Sequence, residues 1–104
     1  MNMKYIITEN RLHDFMINYL NTLLESKHVS YMDSFIVVSD KITVDEEEWK
    51  DIMEFDKIDD RLWISKEFVR NFDDLFGRGR EESIRVITDW FENKFGVKTD
   101  YVES

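Results

Sequence analysis

The chain has 104 residues, 42% of them hydrophobic, no cysteine, and a formal net charge of −9. This length suits a single domain spanning residues 1–104, and the missing cysteine excludes disulfides, thiolate metal sites and cysteine nucleophiles. The acidic balance disfavours direct contact with nucleic-acid phosphates or membranes, and it favours a basic protein as the partner.

The first predicted element is an amphipathic helix from about Glu9 to Lys27. Its apolar residues recur at three- and four-residue steps from Leu12 to Leu24, which is the period of a helix packed on one side. Thr8 is a suitable N-cap for it.

The middle of the chain changes to the pattern of β-strands. The β-branched and aromatic run 35–38 and the run 42–44 flank Ser39–Lys41, which predicts a hairpin with its turn at those polar residues. A second strand pair, 52–55 and 62–64, flanks the polar stretch 56–61. These segments predict an antiparallel sheet.

The last third of the chain returns to helical spacing. Ser65 is a good N-cap for a helix that Gly77 ends, and a third helix begins close to Arg80 and stops at Gly96. A final strand is expected within 97–102. The element order predicts an α+β fold, a two-layer sandwich in which about three helices cover one face of a small, mainly antiparallel sheet.

Negative charge is concentrated between Asp40 and Arg61. This segment holds ten carboxylates against four basic residues, so it carries −6 of the net charge of −9. Carboxylates on a firm scaffold can occupy a basic groove in place of nucleic-acid phosphates and gain association rate through long-range attraction. The alternative is a solvated surface that keeps a small hydrophobic protein soluble.

The residues that we predict to contact a partner come from this segment. Trp49 is the candidate apolar anchor, since tryptophan is enriched among residues that dominate binding energy, and its alternative is packing against the sheet edge. The charged candidates are Asp45, Glu46, Glu47, Glu48, Asp51, Asp59 and Asp60. The segment has no glycine for the sharp turn of a calcium loop, so no metal is expected there, and no cofactor is expected for the chain.

Three further features are assigned structural roles. The segment Gly77–Arg80 precedes a helix and could receive an anion, but it lacks the ending of a nucleotide-binding loop, so a turn between helices is expected. His13 and His28 have no sequence pattern that supplies an oriented catalytic partner, so they are expected at the surface or at its boundary with the core. Trp63 and Trp90 are expected in the core.

Several short segments resemble those of uncharacterised small proteins encoded in tailed-phage genomes and viral metagenomes. They are the segment 3–9, which reads Met-Lys-Tyr-Ile-Ile-Thr-Glu before an amphipathic helix, the segment Leu62–Ser65, and Trp90 followed by Phe95-Gly96-Val97. The resemblance covers most of the chain and implies a phage accessory protein with a strand-to-helix start. It implies no catalytic residues.

The leading hypothesis is a non-enzymatic phage or mobile-element accessory protein that binds a basic host or phage protein through its acidic central region. A narrower version is an inhibitor that imitates nucleic acid. Two alternatives stay open, namely a self-associating structural or assembly component of a phage virion, and a small enzyme with an unrecognised carboxylate site. Because no apolar run approaches the ~18 residues that cross a bilayer, a cytoplasmic location is expected, in the host cell if the protein is phage-encoded.

Overall fold

The computed structural model of the chain describes residues 3–41 and 49–104, and for residues 3–10, 41 and 49 it describes the backbone only. The helices are α1 (Met3–Glu25), α2 (Lys66–Phe76) and α3 (Arg80–Phe95). The strands are β1 (His28–Tyr31), β2 (Phe35–Lys41), β3 (Trp49–Asp56), β4 (Arg61–Ile64) and β5 (Tyr101–Glu103). They form one sheet in the order β1-β2-β3-β4-β5, in which β1 to β4 are antiparallel and β5 runs parallel to β4. The predicted α+β class is confirmed.

One face of the sheet carries the hydrophobic core, because side chains alternate between the two faces of a strand. The sheet contributes Ile36, Val38, Met53, Phe55, Leu62 and Ile64 to a buried cluster. The helices contribute Met16 and Leu20 from α1, Val69 and Phe72 from α2, and Val86, Ile87, Trp90 and Phe91 from α3. All three helices therefore pack on the same face, and one core joins the two layers.

The helix ends near Ser65, Gly77 and Gly96 are confirmed. The side chain of Ser65 accepts a hydrogen bond from the N–H of Phe68 at 3.4 Å and so caps the start of α2. Gly77 has a φ of 66° and Gly96 a φ of 65°, both in the left-handed region. A residue with a Cβ is strained there, so glycine is the residue that lets the chain leave the helix in this way.

The first helix differs from its predicted range of Glu9–Lys27. It begins at Met3, so Thr8 lies inside the helix and the predicted N-cap and strand-to-helix start are wrong. A helix that is already nucleated by the stripe from Leu12 grows one residue at a time, and β-branched residues oppose growth by only a few tenths of a kcal/mol each. Weak local strand propensity therefore does not stop it. The helix ends at Glu25.

The predicted hairpin turn at Ser39–Lys41 is wrong, because these residues lie inside β2. Ser39 pairs with His28 of β1 on one side and with Asp51 of β3 on the other, so two ladders hold it in the sheet. The expected strand at 42–44 lies outside the described residues.

The two edge strands of the sheet, β1 and β5, differ most from the prediction. Strand β1 was not foreseen, and it joins β2 through a tight turn in which the N–H of Met32 donates to the carbonyl of Phe35 at 2.8 Å. The predicted pair 52–55 and 62–64 is confirmed as the antiparallel pair β3–β4. The final strand is shorter than the expected 97–102, because only Tyr101–Glu103 pairs with β4.

Candidate functional site

The second face of the sheet has no helix packed on it within the described part of the chain. We call it the open face and define it by three rows of side chains that cross the strands. The strand register gives the rows as His28, Ser39 and Asp51; Ser30, Val37, Glu54, Trp63 and Glu103; and Phe35, Asp56, Arg61 and Tyr101. Side chains directly opposite each other on neighbouring strands have Cβ atoms about 4.5–5.5 Å apart, so each row is a line of close neighbours.

A β-bulge at Ile52 brings two carboxylates together on the open face. Met53 and Asp51 pair with successive residues of β2, so Ile52 between them has no partner on that strand. Ile52 and Met53 both belong to the core cluster. Strict alternation would have placed Asp51 on the core face, whereas the extra residue turns it to the same face as Glu54.

Two hydrogen bonds hold this bulge in place. The hydroxyl of Ser39 donates to Oδ1 of Asp51 at 2.8 Å. The N–H of Ser65, at the end of the neighbouring strand, donates to the carbonyl of Ile52 at 2.7 Å. The carbonyl of Ile52 is therefore paired with the residue that follows β4, and the carboxylate of Asp51 is oriented by Ser39 of β2.

The open face is acidic. Its rows contain the carboxyl groups of Asp51, Glu54, Asp56 and Glu103 and a single guanidinium, that of Arg61. Burial, and secondly the charge of Asp51, raises the pKa of Glu54 above its ordinary value. Both effects disfavour the ionised form of Glu54. A cation placed over Asp51 and Glu54 would favour that form and so offset them.

The open face also has two clefts, of which the larger is mostly apolar and the smaller is lined mainly by charged side chains. The larger, about 350 Å³, is lined by Phe35, Val37, Asp51 and Glu54 among others. The smaller, about 290 Å³, is lined by Phe35, Glu54, Asp56, Arg61, Trp63 and Glu103. Val37, which lines the larger cleft, is only 6% exposed although it lies outside the core cluster. A ligand here would meet apolar surface below and carboxylates beside it.

A third cleft, about 190 Å³, lies on the helical side between α1, α2 and β3, where Asp51 also lines it and the other four charged residues form two ion pairs. Nζ of Lys27 lies 3.1 Å from Oδ1 of Asp40, and Nζ of Lys50 lies 2.5 Å from Oε2 of Glu67. The hydrogen bond and charge of Lys50 lower the pKa of Glu67. The carboxylates of the acidic central segment therefore differ in their surroundings, since that of Asp40 forms an ion pair with Lys27 of the same chain.

The structure places one of the eight predicted partner-binding residues, Asp51, on the open face. Asp45, Glu46, Glu47 and Glu48 lie outside the described residues, as does the side chain of Trp49, whose backbone begins β3. Asp59 and Asp60 lie in the turn between β3 and β4. A carboxylate oxygen of Asp59 is 3.7 Å from Nη2 of Arg61, and the carbonyl of Asp60 accepts the N–H of Asp100 at 2.7 Å.

Sequence reasoning missed Glu54, Trp63 and Glu103 as site residues. The expected core position of Trp63 is wrong, because it is half-buried on the open face. The signal lay in the alternation of β4, since Leu62 and Ile64 are buried against the helices and the residue between them must face away.

The remaining assignments concern Trp90, the turn before α3 and the histidines. The core position of Trp90 is confirmed, with its indole N–H donating to Oδ1 of Asn21 at 2.8 Å. In the turn, the N–H of Gly79 donates to Oδ1 of Asp73 at 2.7 Å, so the chain's own carboxylate occupies the place of an anion. His13 and His28 are both exposed, as expected.

Among the described residues, no group of three or more histidine, cysteine or acidic side chains is arranged to hold a metal ion. None of the helices in that part of the chain is long and apolar enough to span a membrane. No protein-family model, no curated protein and no solved structure matches the chain.

Proposed function

We propose that this chain is a non-enzymatic binding protein that holds a basic segment of a partner protein against the open face of its sheet. The observation that carries the proposal is the composition of that face. Four carboxylates, of Asp51, Glu54, Asp56 and Glu103, share it with one guanidinium and with one mostly apolar cleft. Negative charge attracts the partner, and the apolar floor supplies the contact area that charge alone lacks.

The proposal moves the binding surface from the acidic segment as a whole to the open face. Asp51, Glu54 and Asp56 belong to both, although only Asp51 was among the predicted partner-binding residues, and Glu103 lies outside the acidic segment. Following the resemblance to phage proteins, the partner would be a basic host or phage protein, and inhibition by imitation of nucleic acid is the narrower form. A group of carboxylates on a sheet can resemble phosphates in charge, so a nucleic-acid-binding groove is one surface that fits it.

The experiment is a binding titration with a labelled short peptide rich in lysine and arginine, followed by fluorescence anisotropy at low and high salt. The double variant Asp51→Asn/Glu54→Gln should weaken binding about tenfold, because two charge contacts of roughly 0.7 kcal/mol each are removed. The control is Glu25→Gln/Asp74→Asn, which removes two exposed carboxylates on the helices and the same net charge.

The control variant should change affinity by less than about twofold at moderate salt, where distant charges are screened. An equal loss in both variants would show that only net charge matters and would overturn the assignment of the open face. Absence of any binding to the basic peptide would overturn the proposed function itself.

Self-association is a second candidate function, and it is favoured by a specific observation. Strand β1 is an edge of the sheet, and Tyr31 at its end is 69% exposed with Met32 beside it 52% exposed. An edge strand with exposed apolar neighbours can pair with a second copy. Light scattering over a concentration series distinguishes the two, since a lasting oligomer that Tyr31→Lys dissociates favours this candidate.

A further inference from the structure

We infer that the partner presents an arginine side chain whose guanidinium stacks on Trp63 and is held on both sides by Glu54 and Glu103. This inference rests on the proposed function, because it names the chemical group that the open face selects. It concerns the row that crosses β3, β4 and β5.

The three residues are direct neighbours in the sheet. Glu54 of β3 is opposite Trp63 of β4, and Trp63 is opposite Glu103 of β5. Neighbouring strands are about 4.8 Å apart, so the two carboxylates stand on either side of the indole with their Cα atoms roughly 10 Å apart. The cleft of about 290 Å³ opens over this row and gives a side chain room to enter.

Trp63 is partly exposed at this cleft. Within the described part of the chain it makes no hydrogen bond and no ring contact with another residue. The nearest cation on its own strand is Arg61, which lines the same cleft and whose Nη2 lies 3.7 Å from Oδ2 of Asp59 in the β3–β4 turn. Among the described residues that line this cleft, three carboxylates, those of Glu54, Asp56 and Glu103, face the one guanidinium of Arg61, so net negative charge is left for an external cation.

The arrangement suits a guanidinium better than an ammonium. A guanidinium is planar, so it can lie flat on an indole while its edge donates hydrogen bonds in several directions, here toward a carboxylate on each side. An ammonium is a compact, strongly hydrated charge and gains less from the ring. Burial and the charge of Asp51 raise the pKa of Glu54, and an arginine bound beside it offsets both effects.

The test uses two short peptides that are identical except that every basic residue is arginine in one and lysine in the other. The arginine peptide should bind about fivefold to tenfold more tightly to the wild-type chain. In NMR spectra it should shift the indole N–H resonance of Trp63, assigned by its loss in Trp63→Phe. Trp63→Leu should reduce arginine-peptide binding about tenfold and remove the preference over lysine.

Two further variants keep the test informative if Trp63→Leu affects folding. Glu103 is exposed and Glu103→Gln is a conservative change. It should reduce the affinity for the arginine peptide about threefold more than the affinity for the lysine peptide. Phe15→Leu is the matched aromatic control, since Phe15 is 59% exposed on α1, and it should leave both affinities unchanged.

The outcomes separate this inference from the proposed function. Equal binding of the two peptides, with both weakened by Asp51→Asn/Glu54→Gln, would overturn the arginine site and leave the basic-segment proposal standing. A preference for arginine that survives both Trp63→Leu and Glu103→Gln would place the arginine elsewhere and also overturn the inference. Failure of both peptides to bind would overturn both proposals.

Discussion

The link between α3 and β5 offers a sharp test of how the open face is assembled. Oε2 of Glu92 accepts two hydrogen bonds from Thr99, one from its N–H at 2.7 Å and one from its hydroxyl at 2.8 Å. These bonds fix the connection that leads into β5 and therefore position Glu103 beside Trp63. We predict that Glu92→Gln loosens β5 while α3 and the core stay folded.

The magnitude follows from the change in the acceptor. A hydrogen bond to a charged group contributes about 1.5–3 kcal/mol and one to a neutral group about 0.5–1.5 kcal/mol, so replacing the carboxylate weakens each bond by roughly 1 kcal/mol. Glu92 is only half-buried, and solvent screening reduces the total to about 1 kcal/mol. For a domain of this size that lowers Tm by roughly 4–8 °C.

The pH dependence has a definite sign. The two bonds from Thr99 lower the pKa of Glu92, so its stabilising contribution is complete above the ordinary glutamate pKa of 4.5 and is lost as pH falls through the lowered value. Protonated Glu92 is an uncharged acceptor, as glutamine is. The difference in Tm between wild type and Glu92→Gln should therefore be largest near neutral pH and shrink in acid.

Thermal unfolding followed by circular dichroism at neutral and acid pH measures the difference, and hydrogen exchange at Tyr101 and Val102 locates it. Asp74→Asn is the control, an exposed carboxylate on α2, and it should shift Tm by less than about 1–2 °C. A Tm difference for Glu92→Gln that is independent of pH, or unchanged exchange in β5, would refute the reasoning.

Three further predictions concern the core, a helix cap and the acidic pair. Phe91→Ala, at a fully buried ring 4.5 Å from that of Phe95, should cost about 3–5 kcal/mol in urea unfolding, whereas less than 1 kcal/mol would contradict its central position. Ser65→Ala should cost about 1 kcal/mol by loss of the α2 cap, with Ser65→Asp retaining most of it. Glu54→Gln should stabilise the fold at neutral pH: the pKa of Glu54 is raised, so its ionisation opposes folding increasingly as pH rises from its unfolded value through the raised one. An equal effect at low pH would contradict this.

Most of the framework was predictable because it depends on local chemistry. The stripe from Leu12 to Leu24 marks α1, and the caps at Ser65, Gly77 and Gly96 set helix ends through conformations that only certain residue types favour. The edges of the elements were less predictable. Met3 rather than Glu9 begins α1, because helix growth is cooperative and local propensity is weak.

The candidate site was mostly beyond prediction because it depends on register. Counting charges identified the acidic region and Asp51, but it could not show that Lys27 neutralises Asp40 or that Glu54 faces away from the helices. A shift of one residue in a strand exchanges its two faces, and the bulge at Ile52 is such a shift.

The sequence by itself determined the α+β class, the amphipathic helices and the excess of negative charge, since each follows from residue type and spacing along the chain. Only the tertiary structure decided which charges meet. The bulge at Ile52 sets Asp51 beside Glu54, and parallel pairing of β5 with β4 brings Glu103 across from Trp63, forty residues away in sequence. Such pairings depend on the packing of the whole sheet against the helices, and no local pattern specifies them.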